Sequence, residues 1–131
     1  MAEATLGLTE PLDFESDVPV YEQIGTRIKF AIARGAYGKD AQLPSVRALA
    51  RSLLVNPNTV IRVYRELEQD GLLYTRRGKG VFVASNAARR CRRSRTAIVE
   101  DKLREAIKLA RQANLEGDEL DALWRRLNAG S

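Results

Sequence analysis

Apolar residues recur along this chain at helical spacing in five separate stretches, and one further stretch alternates as strands do. From Pro19 onward Tyr21, Ile24, Ile28, Ala31 and Ile32 form one stripe that runs up to Gly35, the pattern of a core-facing helix. Leu43-Pro44-Ser45 reads as a helix entry with Ser45 as N-cap, followed by Val46, Leu49, Ala50 and Leu53. Only Leu54 and Val55 separate this helix from the next, so the turn between them is tight and the helices cross, as in a helix-turn-helix. The third stretch, Val55 to Gly71, places Val60, Val63, Tyr64 and Leu67 on one face and Asn58, Arg62, Arg65 and Gln69 on the other. Asn56 suits its N-cap, Pro57 its first position and Gly71 its stop.

Beyond Gly71 the period changes. Leu72 to Arg76 and Val81 to Val83 are β-prone runs joined by Arg77-Gly78-Lys79-Gly80, a hairpin signal, and so short a hairpin must pack on the helices through Leu73, Val81 and Val83. A helix over 96–114 follows, with Val99, Leu103, Ala106, Ala110 and Ala113 on its stripe and Ile98, Ile107 and Leu109 widening it. Asp118 is expected to cap a last short helix carrying Leu120, Leu123, Trp124 and Leu127 at the same spacing. Two helices of this size cannot cover both stripes against each other and stay folded alone. A second copy of the chain is the expected partner, the small alanines allowing close approach; packing back on the same chain is the alternative. The fold class expected is mainly α with a small β-hairpin: a winged helix-turn-helix over 19–84, then a short helical dimerisation domain over 96–131.

Charge adds a polarity that the total of +5 conceals. Residues 1–18 hold five acids and no base, 19–84 hold 11 bases against 5 acids, and 85–131 hold 11 against 7. A basic body behind an acidic leader points to a polyanionic partner. The leader, with Gly7, Pro11 and no period, is expected as an arm: a loose tail, a segment packing on a partner subunit through Leu12 and Phe14, or a shield over the basic face. Residues 85–95, a basic linker, crowd Arg89, Arg90, Arg92, Arg93 and Arg95 around Cys91, which suits either a solvated linker or helix start, or an extra phosphate clamp. Cationic neighbours would lower the Cys91 thiol pKa. Arg47, in the first turn of its helix, opposes the helix dipole by up to about 1 kcal/mol, a cost that a nearby anion offsets.

Inventory excludes other classes. With no histidine and a single cysteine, a structural zinc site, a His-dependent triad and an internal disulfide are ruled out, and no metal or cofactor is expected. The 131 residues carry no apolar run near the roughly 20 that a membrane helix needs, and the acidic start is unlike a signal peptide, so the expected place is the cytoplasm. Arg77-Gly78-Lys79-Gly80 lacks the spacing and following helix of a phosphate-binding loop, which leaves an enzyme the poorest reading.

From Pro19 to Ala84 the motifs Pro19-Val20-Tyr21-Glu22-Gln23-Ile24, Leu43 to Ala50, Asn56-Pro57-Asn58-Thr59-Val60, Tyr64-Arg65-Glu66-Leu67-Glu68, Asp70-Gly71 and Arg77 to Val83 stand in the order that resembles the DNA-binding domain of the GntR family of bacterial transcription regulators. The short tail is similar in length and pattern to that of the YtrA subfamily, which dimerises through this region. The resemblance implies a homodimeric repressor of a palindromic operator, controlling a transporter operon. It places DNA contacts on Arg47, on Asn56, Asn58 and Thr59, and on Arg77 and Gly78, with Lys79 adjacent. Some relatives carry arginines where this chain has Pro57 and Ile61; Arg62, one step along, is the expected substitute. The expected dimerisation residues are Val99, Leu103, Ala106, Ala110, Leu120, Leu123, Trp124 and Leu127. A small-molecule effector, if one exists, would have to bind between domains or at the dimer interface, because two tail helices leave little room for a pocket of about 300 Å³. Two other classes compete: a winged helix that docks an acidic protein, and an architectural DNA binder without sequence preference.

Overall fold

Local chemistry sets the helix ends, and the helix ends set the fold. In the computed structural model, which describes residues 7–130, Ser45 Oγ accepts the N–H of Ala48 at 3.1 Å and Asn56 Oδ1 accepts that of Asn58 at 2.8 Å. Each satisfies one of the free donors that open a helix. The elements follow in the order α1 Val20–Ala33, α2 Val46–Leu53, α3 Pro57–Gln69, β1 Leu73–Arg76, β2 Gly80–Val83, α4 Ala87–Gln112 and α5 Asp118–Ala129. Four of the helices close in the same way. Gly35, Leu54, Gly71 and Asn114 take left-handed backbone angles, and the next N–H reaches back across the last turn: Ala36 to Ala31 at 2.9 Å, Val55 to Ala50 at 3.0 Å, Leu72 to Leu67 at 3.0 Å and Leu115 to Ala110 at 2.8 Å. Glycine makes this turn freely at two of the four; Leu54 makes it at φ 58° with 85% of its surface exposed.

The chain divides into two units, residues up to Arg95 and residues from Thr96 on. In the first, Ile24, Ile28 and Ile32 of α1, Leu49 and Leu53 of α2, and Val60, Val63 and Leu67 of α3 meet in one core with Leu73 and Val83 of the hairpin. Each such side chain, fully buried, contributes about 1.5–3 kcal/mol. Tyr64 adds a polar tie, donating its hydroxyl to the Pro44 carbonyl at 2.7 Å and so fixing α3 to the start of α2. Burial raises the pKa of that phenol far above its ordinary value, so it remains a donor.

β1 and β2 pair antiparallel from Leu73–Val83 to Arg76–Gly80. The other edge of β2 is also occupied: Leu43 N–H donates to Val81 O at 2.9 Å and Val83 N–H to Ala41 O at 3.0 Å. The connection after α1 thus closes one edge of the sheet.

Three expectations are corrected here. The arm 1–18 has its residues 1–6 outside the described ones, and the rest is no loose tail: Leu8 and Leu12 are buried in the core of their own unit, so Leu12 is not left for a partner subunit, while Phe14 is 60% exposed. Arg27 of α1 holds the arm by donating to the carbonyls of Glu10 and Pro11, and Gln23 receives the Asp13 N–H at 3.0 Å while donating to the Asp13 carbonyl at 2.8 Å. Secondly, the helix expected over 96–114 begins at Ala87, so 87–95 is the helix start and not a solvated linker: Ala87 and Cys91, one turn apart, are buried in the core. Thirdly, Asp118 does not cap α5; Gly117 holds the cap position without a side-chain bond, and Asp118, Glu119 and Asp121 supply negative charge to the first turn.

In the second unit Ala110 is buried and α5 has no buried residue. Leu120 and Leu123 are half-buried. Val99, Leu103 (42% exposed), Trp124 (55%) and Leu127 are exposed, as is Ala106. No helix among the described residues is long and apolar enough to cross a membrane.

Candidate nucleic-acid interface

The openings of α2 and α3 carry positive helix-dipole ends, and neither has an acidic residue in its first turn. α1 has Glu22 there and α5 has three carboxylates; α4 also lacks an acid in its first turn but opens on the buried Ala87, whereas α2 and α3 open on exposed residues that an outside anion can reach. Arg47 lies in the first turn of α2, exposed. Pro57 and Asn58 in the first turn of α3 are exposed as well, and Thr59 is half-buried. Asn56 is exposed, but its Oδ1 is committed to the cap, which leaves only its amide nitrogen for an external acceptor.

Arg62 is not simply extended into solvent. Its guanidinium lies 3.6 Å from the centroid of the Tyr21 ring, and its Nε is 3.2 Å from Glu66 Oε1. The exposed ion pair is worth about 0.3–0.5 kcal/mol and the cation–π contact about 0.5–1 kcal/mol. These hold the side chain in place without locking it.

The wing is built to present charge. Arg77, Gly78 and Lys79 form its exposed tip; Gly78 has φ 75°, and Lys79 N–H closes the turn on Arg76 O at 2.8 Å. Its root is clamped by Gln42, whose Nε2 donates to Lys79 O at 2.7 Å. The same amide would lie 2.6 Å from a Cβ at residue 80, where φ is 125°, so only glycine fits. Tyr74 stacks on Phe82 at 5.6 Å and donates to Asp40 Oδ1 at 2.8 Å, and that hydrogen bond raises its phenol pKa. Arg76 lies 5.9 Å from the Phe82 ring. On the helix side, Thr75 N–H donates to Glu68 Oε2 at 3.2 Å, fastening β1 to the far end of α3. Gln42 was not singled out from sequence, and Tyr21 was read only as part of the core-facing stripe. Each acts through a contact distant in the chain, for which no periodic pattern gives a signal.

The arginine run falls elsewhere. Arg90 Nη1 would lie 3.0 Å from a Cβ on Gly71, just past the C-terminal end of α3, and Arg90 and Arg93 share a cleft of about 260 Å³ with Lys29, Asp70 and Leu72. A helix of 13 residues puts that end roughly 20 Å from its opening at Pro57. These arginines suit the negative end of the α3 dipole and lie far from Asn58. Cys91 between them is fully buried, and desolvation raises its thiol pKa, against weaker opposing pulls from Lys29 and Arg90. The lowering expected from its cationic neighbours does not occur, because the side chain points into the core.

Known proteins with this arrangement are DNA-binding regulators. The model of "Bacterial regulatory proteins, gntR family" matches residues 20–83. The HTH-type transcriptional repressor YtrA of Bacillus subtilis is 33% identical over 118 residues, 90% of this chain and 91% of that protein. A GntR family transcriptional regulator from Listeria monocytogenes superposes with a TM-score of 0.70 at 29% identity, over 86% of this chain and 98% of that one. The AraR DNA-binding domain, solved in complex with operator ORX1, matches 57% of this chain and 95% of its own at 30% identity and a TM-score of 0.54. With a capped helix-turn-helix, a basic wing and this likeness along nearly its whole length, the chain belongs to the GntR family of DNA-binding transcription regulators and is YtrA-like.

Proposed function

We propose that the chain is a repressor that binds a palindromic operator as a homodimer, in the bacterial cytoplasm. The observation that carries this reading is the exposed, acid-free opening of α2 and α3, where Arg47 and Asn58 stand free of the core. Two copies would place these openings in successive major grooves, with half-site centres about 10 bp apart. Asn58 has the donor and acceptor needed to pair bidentately with adenine; Arg47, or Arg62 released from Tyr21 and Glu66, has those for guanine. Releasing Arg62 costs about 1 kcal/mol, no more than one base contact returns. Arg77 and Lys79 lie along a phosphate or in the minor groove, where Gly78 lets the backbone approach.

The dimer rests on the exposed stripe Val99, Leu103, Ala106 and Trp124, continued by Leu120, Leu123 and Leu127 around the buried Ala110. Resemblance to the YtrA group points to a transporter operon as the regulated unit, and any small-molecule effector would enter at the interface between copies. Selection from a random DNA pool tests this reading. An enriched inverted repeat, bound more tightly than random duplex at every salt concentration, is the expected result. Equal binding to all duplexes would make the protein architectural, and no binding would make it a protein-docking module.

A further inference from the structure

The outward half of α3 is not purely polar. Ile61 keeps 36% of its surface exposed, and Pro57, one turn before it, is exposed too. At about 100° per residue Ile61 lies roughly 60° around the helix from Asn58 and as far from Tyr64, on the flank where the polar face meets the core face. It is a poorer helix former than alanine, and it leaves part of its apolar surface in water. A side chain of this kind on a helix surface that otherwise offers amides and guanidiniums calls for an apolar partner in the same groove. In the major groove that partner is the 5-methyl group of thymine.

We propose that Ile61, backed by Pro57, is a specificity-determining residue that recognises a thymine by packing on its methyl group. This rests on the operator-binding reading above. Three residues along α3 advance about 4.5 Å, a little more than one base-pair step, so the thymine is expected within two base pairs of the one addressed by Asn58. Cytosine at the same place would set its N4 amine against Ile61, which offers that donor no acceptor.

The test replaces each thymine of the selected operator in turn by deoxyuridine, which removes only the methyl group, and measures affinity by fluorescence anisotropy. At one thymine per half-site the wild-type protein is expected to lose about fourfold, the worth of one buried methyl-sized group, and at the other thymines nothing. The Ile61→Ala variant is expected to bind the thymine and deoxyuridine duplexes alike at that position. Thermal melts check that its fold is retained. An operator that binds well but tolerates deoxyuridine everywhere overturns the assignment and leaves the operator reading standing, as does an Ile61→Ala variant that keeps the fourfold discrimination. A pool that yields no enriched sequence removes both.

Discussion

The two units of this chain solve the same problem in opposite ways. Up to Arg95, the apolar stripes of α1, α2 and α3 are covered: Ile28, Ile32 and Val60 have no exposed surface at all. From Thr96 on, the stripes are as regular in sequence, yet Val99, Leu103, Trp124 and Leu127 are exposed. Periodicity alone does not distinguish a covered stripe from an uncovered one. What separates them is how many elements converge, since three helices, a hairpin and the arm close a core and two helices do not.

The largest effect should come from charging the uncovered stripe. Leu103→Glu with Trp124→Glu is expected to yield monomers by sedimentation and to weaken operator binding by about a hundredfold or more, because the second half-site is no longer tethered to the first. The melting of the first unit should be unchanged. Conversely, Ile28→Ala should destabilise the first unit by about 2–5 kcal/mol in urea unfolding, the range for a truncated buried aliphatic residue. Leu103→Ala in the monomeric background should cost far less, and equal costs would erase the distinction between the two units. The smallest effect is a gain. Leu54→Gly should stabilise the first unit by about 1 kcal/mol by relieving the left-handed strain at an exposed site, with no change in operator affinity.

Much of the first unit was legible in the sequence because its signals are local. Ser45, Asn56 and Gly71 mark helix ends through bonds to residues two to four positions away, and the hairpin announces itself by its glycines. The burial of Leu8 and Leu12, the pairing of residues 41–43 with β2 and the stacking of Arg62 on Tyr21 were hidden, because each joins segments that only the fold brings together. The start of α4 had a faint signal, Ala87 and Cys91 at i, i+4, masked by the arginines around it. For the candidate site, the exposed position of Arg47, Asn58, Arg77 and Lys79 followed from helix phase and turn chemistry, whereas the engagement of Arg62 and the capping duty of Asn56 needed coordinates.

The central claim is that the openings of α2 and α3 read DNA. The most direct measurement is the affinity of an Arg47→Ala, Asn58→Ala double variant for the selected operator and for a scrambled duplex. The preference for the operator should fall by tenfold or more, each lost base contact being worth about 1–3 kcal/mol, while the dimer and the melting curve are retained. Unchanged preference for the operator in a folded, dimeric double variant would contradict the account.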